Sequence, residues 1–275
     1  MEKIKACYFS PTGGTKKAAE MVAGGMAAES GAEVISVELC SRPSEAEERI
    51  RQVSLCCDDA EKEVWILAVP SFGGRVPEAA AQRIAAMRGN GASAVLLAVY
   101  GNREYEDTLV ELYDIAVESG FYPAAAVAAV AQHSIAERIA EGRPDGADEV
   151  CLSEFGRKIA KYLDGGGRKR GDDEKQGFKV PGNRPYRKYD GVSSLQPKAG
   201  DACTGCGACA RKCPVGAIPA EEPQRRNKKV CISCMGCIAV CPEGARRLNP
   251  VMRKAVAMKL AKSCAERKEP ELYLP

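Results

Sequence analysis

Eight of the fourteen cysteines in this 275-residue chain fall into two copies of one pattern, C-x2-C-x2-C-x3-C-P. The first copy is Cys203, Cys206, Cys209 and Cys213; the second, 28 residues further on, is Cys231, Cys234, Cys237 and Cys241. In a chain this long, with no signal-peptide core in "MEKIKACYFS", cysteines in such numbers read as metal ligands rather than disulfides. Zinc takes four ligands, usually as two C-x2-C pairs, and eight cysteines in this order suit it poorly. Three closely spaced thiolates can instead cap three irons of one cubane, with the cysteine before the proline set apart from them. Gly205, Gly207, Ala208 and Gly236 lie between ligands, where small residues let backbone amides approach sulfur. The remaining six cysteines (Cys7, Cys40, Cys56, Cys57, Cys151 and Cys264) share no spacing and read as ordinary thiols.

A second constellation lies near the N-terminus. "SPTGGT", Ser10 to Thr15, follows a short apolar run and precedes a helical stretch. Ser10, Thr12 and Thr15 offer hydroxyls, Gly13 and Gly14 let the backbone come close, and a helix N-terminus directs free N–H groups at whatever sits there. Neither G-x4-G-K-[ST] nor G-x-G-x-x-G is present; with hydroxyls supplying much of the cradle, a single phosphate monoester is the expected ligand, with Lys16 beside it. The plainer readings are an ordinary helix start and, for Lys16, a solvated face. Two further loops carry glycine and aromatic residues: Pro70, Ser71, Phe72, Gly73 and Gly74 in "PSFGGRVP", and Tyr100, Gly101, Asn102, Arg103 and Tyr105 in "YGNREYED". A flat ligand held between Phe72 and Tyr105 would use them well, although Phe72 alone could be a loop anchor. His133 is the only histidine. It and Arg103 are weak catalytic candidates, and a hydrogen-bonded structural histidine is the plainer reading. Arg75, in the first of these two loops, is a further candidate for ligand contact.

These loops need elements to hold them. Apolar runs "KIKACYF", "AEVISVEL", "EVWILAVP", "ASAVLLAVY" and "FYPAAAVAAVA" alternate with helical stretches. Continuous apolar strands alternating with helices predict an α/β fold, a parallel sheet covered on both faces. Five strands suit a doubly wound order 2-1-3-4-5, with ligand beyond the carboxyl ends of strands 1, 3 and 4. The charge of +3 hides a split: residues 1–164 carry 17 Lys+Arg against 26 Asp+Glu, residues 165–199 carry 9 against 4, and residues 200–275 carry 14 against 7. The expected organisation is a ligand-binding domain over 1–164, a basic linker or strap over 165–199, a cluster domain over 200–249 and a helical tail over 250–275. No apolar run is long enough to cross a membrane. No recognition motif accompanies the basic excess, so nucleic acid is not an expected partner. The cytoplasm is the expected location.

"YFSPTGGTKKAAEMV" resembles the flavodoxin signature, through Tyr8, Ser10, Gly13, Thr15, Ala19 and Val22, and "YGNREYED" is similar to the flavodoxin G-D-Q-x-x-Y loop with its tyrosine one position closer. That resemblance covers residues 1–164 and implies a flavodoxin-like five-stranded sheet holding FMN. The paired cysteine repeats resemble the bacterial two-cluster ferredoxins. They imply one [4Fe–4S] cluster on Cys203, Cys206, Cys209 and Cys241, and a second on Cys231, Cys234, Cys237 and Cys213. As a whole the chain resembles the flavodoxin-like/ferredoxin fusion proteins called EFR1-family ferredoxins, to which "QHSIAERIA" is also similar. The chemistry of those cofactors makes electron transfer between two [4Fe–4S] clusters, FMN and an external low-potential redox protein the expected function, with anaerobic metabolism its expected setting. One alternative is an FMN-dependent reductase of a small organic acceptor of quinone or enone type. A non-redox scaffold for cluster storage is the third reading, and it leaves the phosphate loop without a role. With an acidic front and a basic back, docking of the halves across the strap is expected, with "RRNKK" (225–229) and "RKR" (168–170) carrying much of the positive charge.

Overall fold

The computed structural model describes residues 1–55, 60–167, 178–188 and 195–275. Cys56, Cys57 and the "RKR" stretch lie outside them.

Strands β1 (Lys3–Tyr8), β2 (Glu33–Glu38), β3 (Glu63–Pro70), β4 (Ser93–Tyr100) and β5 (Tyr122–Val130) pair in parallel in the order β2-β1-β3-β4-β5. Strands β3 and β4 are apolar at nearly every position because both of their faces are covered. On one face Ile4, Ile66, Val95 and Leu97 meet Val22 and Met26 of helix α1 (Gly14–Ser30) and Leu152 and Ile159 of helix α5 (Gly146–Tyr162). Glycines let these two helices touch: a Cβ on Gly156 would lie 2.3 Å from the Val22 carbonyl oxygen. On the other face Cys7, Trp65, Leu67 and Leu96 meet Ile50 of α2 (Pro43–Leu55), Ile84 of α3 (Glu78–Ala85) and Leu109 and Leu112 of α4 (Thr108–Glu118). Beneath that layer the Lys5 ammonium lies 2.6 Å from Glu63 and over the Trp65 ring.

Described residues from the rest of the chain, Phe178, Val180, Val215, Ile232 and Tyr273 among them, pack against this sheet's core. Two-residue strands β6 (Lys198–Ala199) and β7 (Arg246–Arg247) pair antiparallel and close the small domain, which holds helices α6 (Ala208–Arg211) and α7 (Gly236–Ala239). The tail was expected to be helical, and it is so only over α8 (Pro250–Ala261). Its end forms β8 (Glu271–Tyr273), which pairs antiparallel with β5 and makes a sixth strand. The physical reason is the free edge of β5, whose backbone groups need partners.

The strap is also attached rather than loose where it is described. Phe178 and Val180 pack against the core, and the Asp107 carboxylate accepts from the Asn183 and Arg187 main-chain N–H groups at 2.8 and 2.7 Å. Arg184 reaches Asp114 at 2.5 Å, and the Arg75 guanidinium lies over the Tyr186 ring. Among the described residues no helix is long and apolar enough to cross a membrane.

Candidate functional site

The two cysteine repeats fold alike. Gly205 and Gly207 take φ of 74° and 73°, and Ser233 and Met235, their counterparts 28 residues later, take 53° and 62°. Left-handed residues between ligands turn successive N–H groups inward into an anion-binding concavity. Each repeat ends on the same turn. The Ala217 N–H donates to the Cys213 sulfur at 3.2 Å, and the Ala245 N–H donates to the Cys241 sulfur at 3.2 Å. Cys203, Cys206, Cys209 and Cys241 line one small cavity, so the last cysteine of the second repeat joins the first three of the first. Cys231 and Cys237 pack against the buried cluster that contains Cys213. Burial holds the Cys234 thiol well above its usual range and pushes Cys237 up to about 12. Ligation would therefore displace protons from these thiols. Among the described residues no three His, Cys, Asp or Glu side chains converge as they would on a single ion.

The hydroxyl-rich loop lies at the carboxyl ends of β1 and β3, where the strand order reverses. Gly13, at φ 95°, begins α1 without a side-chain cap, and the Ser10 hydroxyl accepts from the Lys16 N–H at 2.9 Å. Thr12, Gly14 and Thr15 line a cavity with Pro70, Ser71, Phe72, Tyr100, Gly101 and His133. Cys234, from the second repeat, is part of the same wall. A neighbouring chamber of about 280 Å³ shares Thr12, Gly14 and His133 and adds Gly13, Lys17, Arg143 and Met235. The two chambers hold about 280 and 80 Å³, which together reach the lower end of small-molecule sites, ~300 Å³. The His133 Nδ1 accepts from the Ile135 and Ala136 N–H groups at 3.1 and 3.0 Å, leaving its proton on Nε2. Burial, and then the charge of Arg103, hold its pKa below the ordinary value.

Several sequence candidates do other work here. The Lys16 ammonium faces Glu20 on the exposed side of α1. Gly73 and Gly74 make the left-handed turn between Phe72 and Arg75, and a Cβ on Gly74 would collide with Glu106. Arg75 is bidentate to Glu111 at 2.7 and 2.8 Å. Arg103 pairs with Glu106. The Asn102 amide donates to the Cys264 and Glu266 carbonyl oxygens at 3.2 and 2.9 Å, and the Tyr105 hydroxyl bonds Glu271 and Tyr273 at 2.7 Å. Asn102, Arg103 and Tyr105 thus stand outside the lining of both chambers: Asn102 and Tyr105 fasten the tail, and the Arg103 side chain is held within its own loop. Sequence reasoning missed Gln132, Ser134 and Cys234 in the wall. Cys234 had a signal, its place in the repeat, but nothing pointed it at the sheet.

The cluster domain is held to the sheet by specific contacts. Val215 and Ile232 pack on the sheet's core. The Arg83 guanidinium is buried and donates to the Ser41 and Pro214 carbonyl oxygens at 3.0 and 2.5 Å. Lys212 pairs with Glu38, while Arg187 ties the strap to Glu106. The expected role of "RRNKK" in this docking is corrected. Arg225 pairs with Glu222, Arg226 bonds Gln196 and Pro197, and Lys228 and Lys229 line a groove of about 1040 Å³ with Lys198 and Arg247. Those charges belong to the cluster domain's outer side.

Residues 202–246 match the family model of the 4Fe-4S dicluster domain, which supports two [4Fe–4S] clusters. Solved structures similar to this chain include the flavodiiron core from Synechocystis sp. PCC6803, at 17% identity and TM-score 0.40 over 60% of this chain. This chain covers 36% of that protein's length. A Streptococcus pneumoniae flavodoxin is 17% identical at TM-score 0.39, over 57% of this chain and 97% of that one. Two-electron reduced Megasphaera elsdenii flavodoxin is 20% identical at TM-score 0.38, over 57% and 98%. No curated protein matches. The strand order carries the fold assignment, and the chain joins a flavodoxin-like α/β sheet to a 4Fe-4S dicluster domain.

Proposed function

We propose that this protein transfers electrons between two [4Fe–4S] clusters, an FMN held at the hydroxyl-rich loop, and an external redox protein. The observation that supports it most is Cys234, a cluster-domain cysteine in the wall of the cavity that Thr12, Thr15, Phe72 and Tyr100 line. When bound, the clusters exchange single electrons and FMN accepts one or two, so the pair can convert between the two modes. Thr12, Gly13, Gly14 and Thr15 would hold the phosphate at the α1 N-terminus. Phe72 and Tyr100 would flank the ring system. His133, neutral, offers its Nε2–H at the same wall. Cys203, Cys206, Cys209 and Cys241 would ligate one cluster, and Cys213, Cys231, Cys234 and Cys237 the other. The groove lined by Lys198, Lys228, Lys229 and Arg247 suits an acidic redox partner, because Ala245 lines both it and the first cluster's cavity. The described cysteines are free of disulfides, which suits a reducing, cytoplasmic setting.

A reductase of a small organic acceptor is favoured by one observation: Lys17, His133 and Arg143 gather polar groups at the 280 Å³ chamber beside the loop. Anaerobic purification followed by iron, sulfide and flavin analysis tests the main reading. About eight irons with FMN, and flavin reduced through the clusters on rapid mixing, are expected. FAD, or a flavin that stays oxidised while the clusters are reduced, would overturn it.

A further inference from the structure

Arg246 is 2% exposed, and nothing in the sequence reading gives it a role. Its Nη2 donates to the Pro223 and Arg225 carbonyl oxygens. Its Nε and Nη1 are buried without any partner, and among the described residues no carboxylate pairs with it. A buried cation is tolerated when an anion or a full set of acceptors compensates it, and the protein supplies neither here. Arg246, whose charge also acts on Cys231 and Cys237, lines the cavity of Cys203, Cys206, Cys209 and Cys241. Those four thiolates with their cubane would be the missing anion, rich in sulfur acceptors.

The repeat sharpens the point. The residue 28 positions earlier is Ile218, which packs with Cys213, Ala217 and Cys209 in an apolar cluster. The turns on either side of this position are alike, Cys213 to Ala217 and Cys241 to Ala245. One repeat therefore presents a hydrocarbon where the other presents a guanidinium.

We infer that Arg246 is the internal counter-ion of the cluster held by Cys203, Cys206, Cys209 and Cys241, donating Nε–H and Nη1–H to its sulfurs and raising its reduction potential. A fixed positive charge and two N–H donors stabilise the more negative, reduced state. Arg246 is a positioning and tuning residue; it does not exchange electrons. The inference rests on the dicluster domain and is independent of whether FMN binds.

The test uses the full-length, cluster-loaded protein. Each cluster's midpoint is read by a redox titration followed by electron paramagnetic resonance, with iron counted in parallel. In Arg246→Gln one midpoint should fall, so that at a fixed solution potential that cluster's reduced-to-oxidised ratio drops at least ~tenfold, about 59 mV for a one-electron couple. Arg246→Lys should recover part of the shift. Two unchanged midpoints in a fully loaded Arg246→Gln protein, or equal shifts of both, would overturn the inference. A second measurement covers variants that do not load. Wild-type protein labelled with [15N]arginine should show nitrogen hyperfine coupling to a reduced cluster, and its absence would overturn the inference whatever the variants do. Protein without iron would overturn the cluster assignment as well, and the iron count separates that case.

Discussion

Gly236 of the second cysteine repeat stands against Pro11 of the hydroxyl-rich loop: a Cβ built on Gly236 would lie 3.2 Å from the Pro11 carbonyl oxygen and 3.6 Å from the Cys234 sulfur. The smallest residue is thus placed where the cluster domain meets the sheet's ligand edge. Gly236→Val should force the two apart. Overpacking of this kind costs about 1–3 kcal/mol. Iron content should be unchanged while cluster-to-flavin transfer slows in rapid-mixing experiments. Transfer at the wild-type rate would show that this contact does not set the distance.

His133 supplies a pH dependence that can be read without ambiguity, because it is the only histidine. Burial and the Arg103 charge lower its folded pKa, while its Nδ1 accepts two main-chain N–H groups. The unfolded chain therefore takes up this proton first. His133 costs no stability above its ordinary pKa of 6.5, and below it stability should fall by up to about 1.4 kcal/mol per pH unit until the folded value is reached. His133→Gln should remove that loss. The imidazole NMR signal should titrate below the ordinary histidine value; titration at or above it would contradict the assignment.

The sheet and the ligands were legible because each has a strong local signal. "EVWILAVP" and "SAVLLAVY" are apolar at almost every position, as strands covered on both faces must be, and the cysteine spacing is a code in itself. The phosphate loop was legible from three hydroxyls and two glycines ahead of a helix. The tail was not. "ELY" is too short for periodicity, and it becomes β8 only because β5 offers an edge. That pairing takes Tyr105 away from the expected flavin face, since its hydroxyl finds Glu271 and Tyr273. Cys40, read as an ordinary thiol, is buried beside Lys212 and Arg83, where the halves meet, and no spacing could show that.

The strap should come loose in acid. Burial raises the pKa of Asp107, but hydrogen bonds from the Arg187 and Asn183 N–H groups outweigh it and leave the pKa lowered. A carboxylate depressed in this way stabilises the fold above its ordinary range and loses that contribution as pH falls through its folded value. Asp107→Asn should expose residues 178–188 to protease at neutral pH, as acid does to the wild type. Equal protection of mutant and wild type would show that the Arg184–Asp114 pair and the packing of Phe178 suffice.

Ser233 and Met235 hold left-handed backbone where the first repeat has glycine. Ser233→Gly should relieve strain of roughly 1 kcal/mol. Met235→Gly should not, because Met235 is 2% exposed and fills the wall beside Thr12 and His133. Thermal unfolding of the loaded protein checks the pair: a rise in midpoint for position 233 and a fall for position 235. A gain at both would mean that the Met235 side chain contributes nothing to the join.

The outer groove makes the external partner testable apart from the internal path. Lys198, Lys228 and Lys229 have no carboxylate partner among the described residues, and they line a groove separated from the first cluster's cavity by Ala245. Pairs that do cross between the halves are others, among them Lys212 with Glu38 and Arg253 with Glu137. Lys228→Glu with Lys229→Glu should therefore leave intramolecular transfer unchanged. The bimolecular rate with a small acidic ferredoxin should fall. It should also lose much of its salt dependence, because exposed charges are screened beyond about 10 Å at 0.1 M. Neutralising Lys212 should do the reverse, weakening the internal join and sparing the bimolecular rate. If the Lys228/Lys229 variant slowed internal transfer instead, the groove would belong to the docking of the halves, and the face for an outside partner would lie elsewhere.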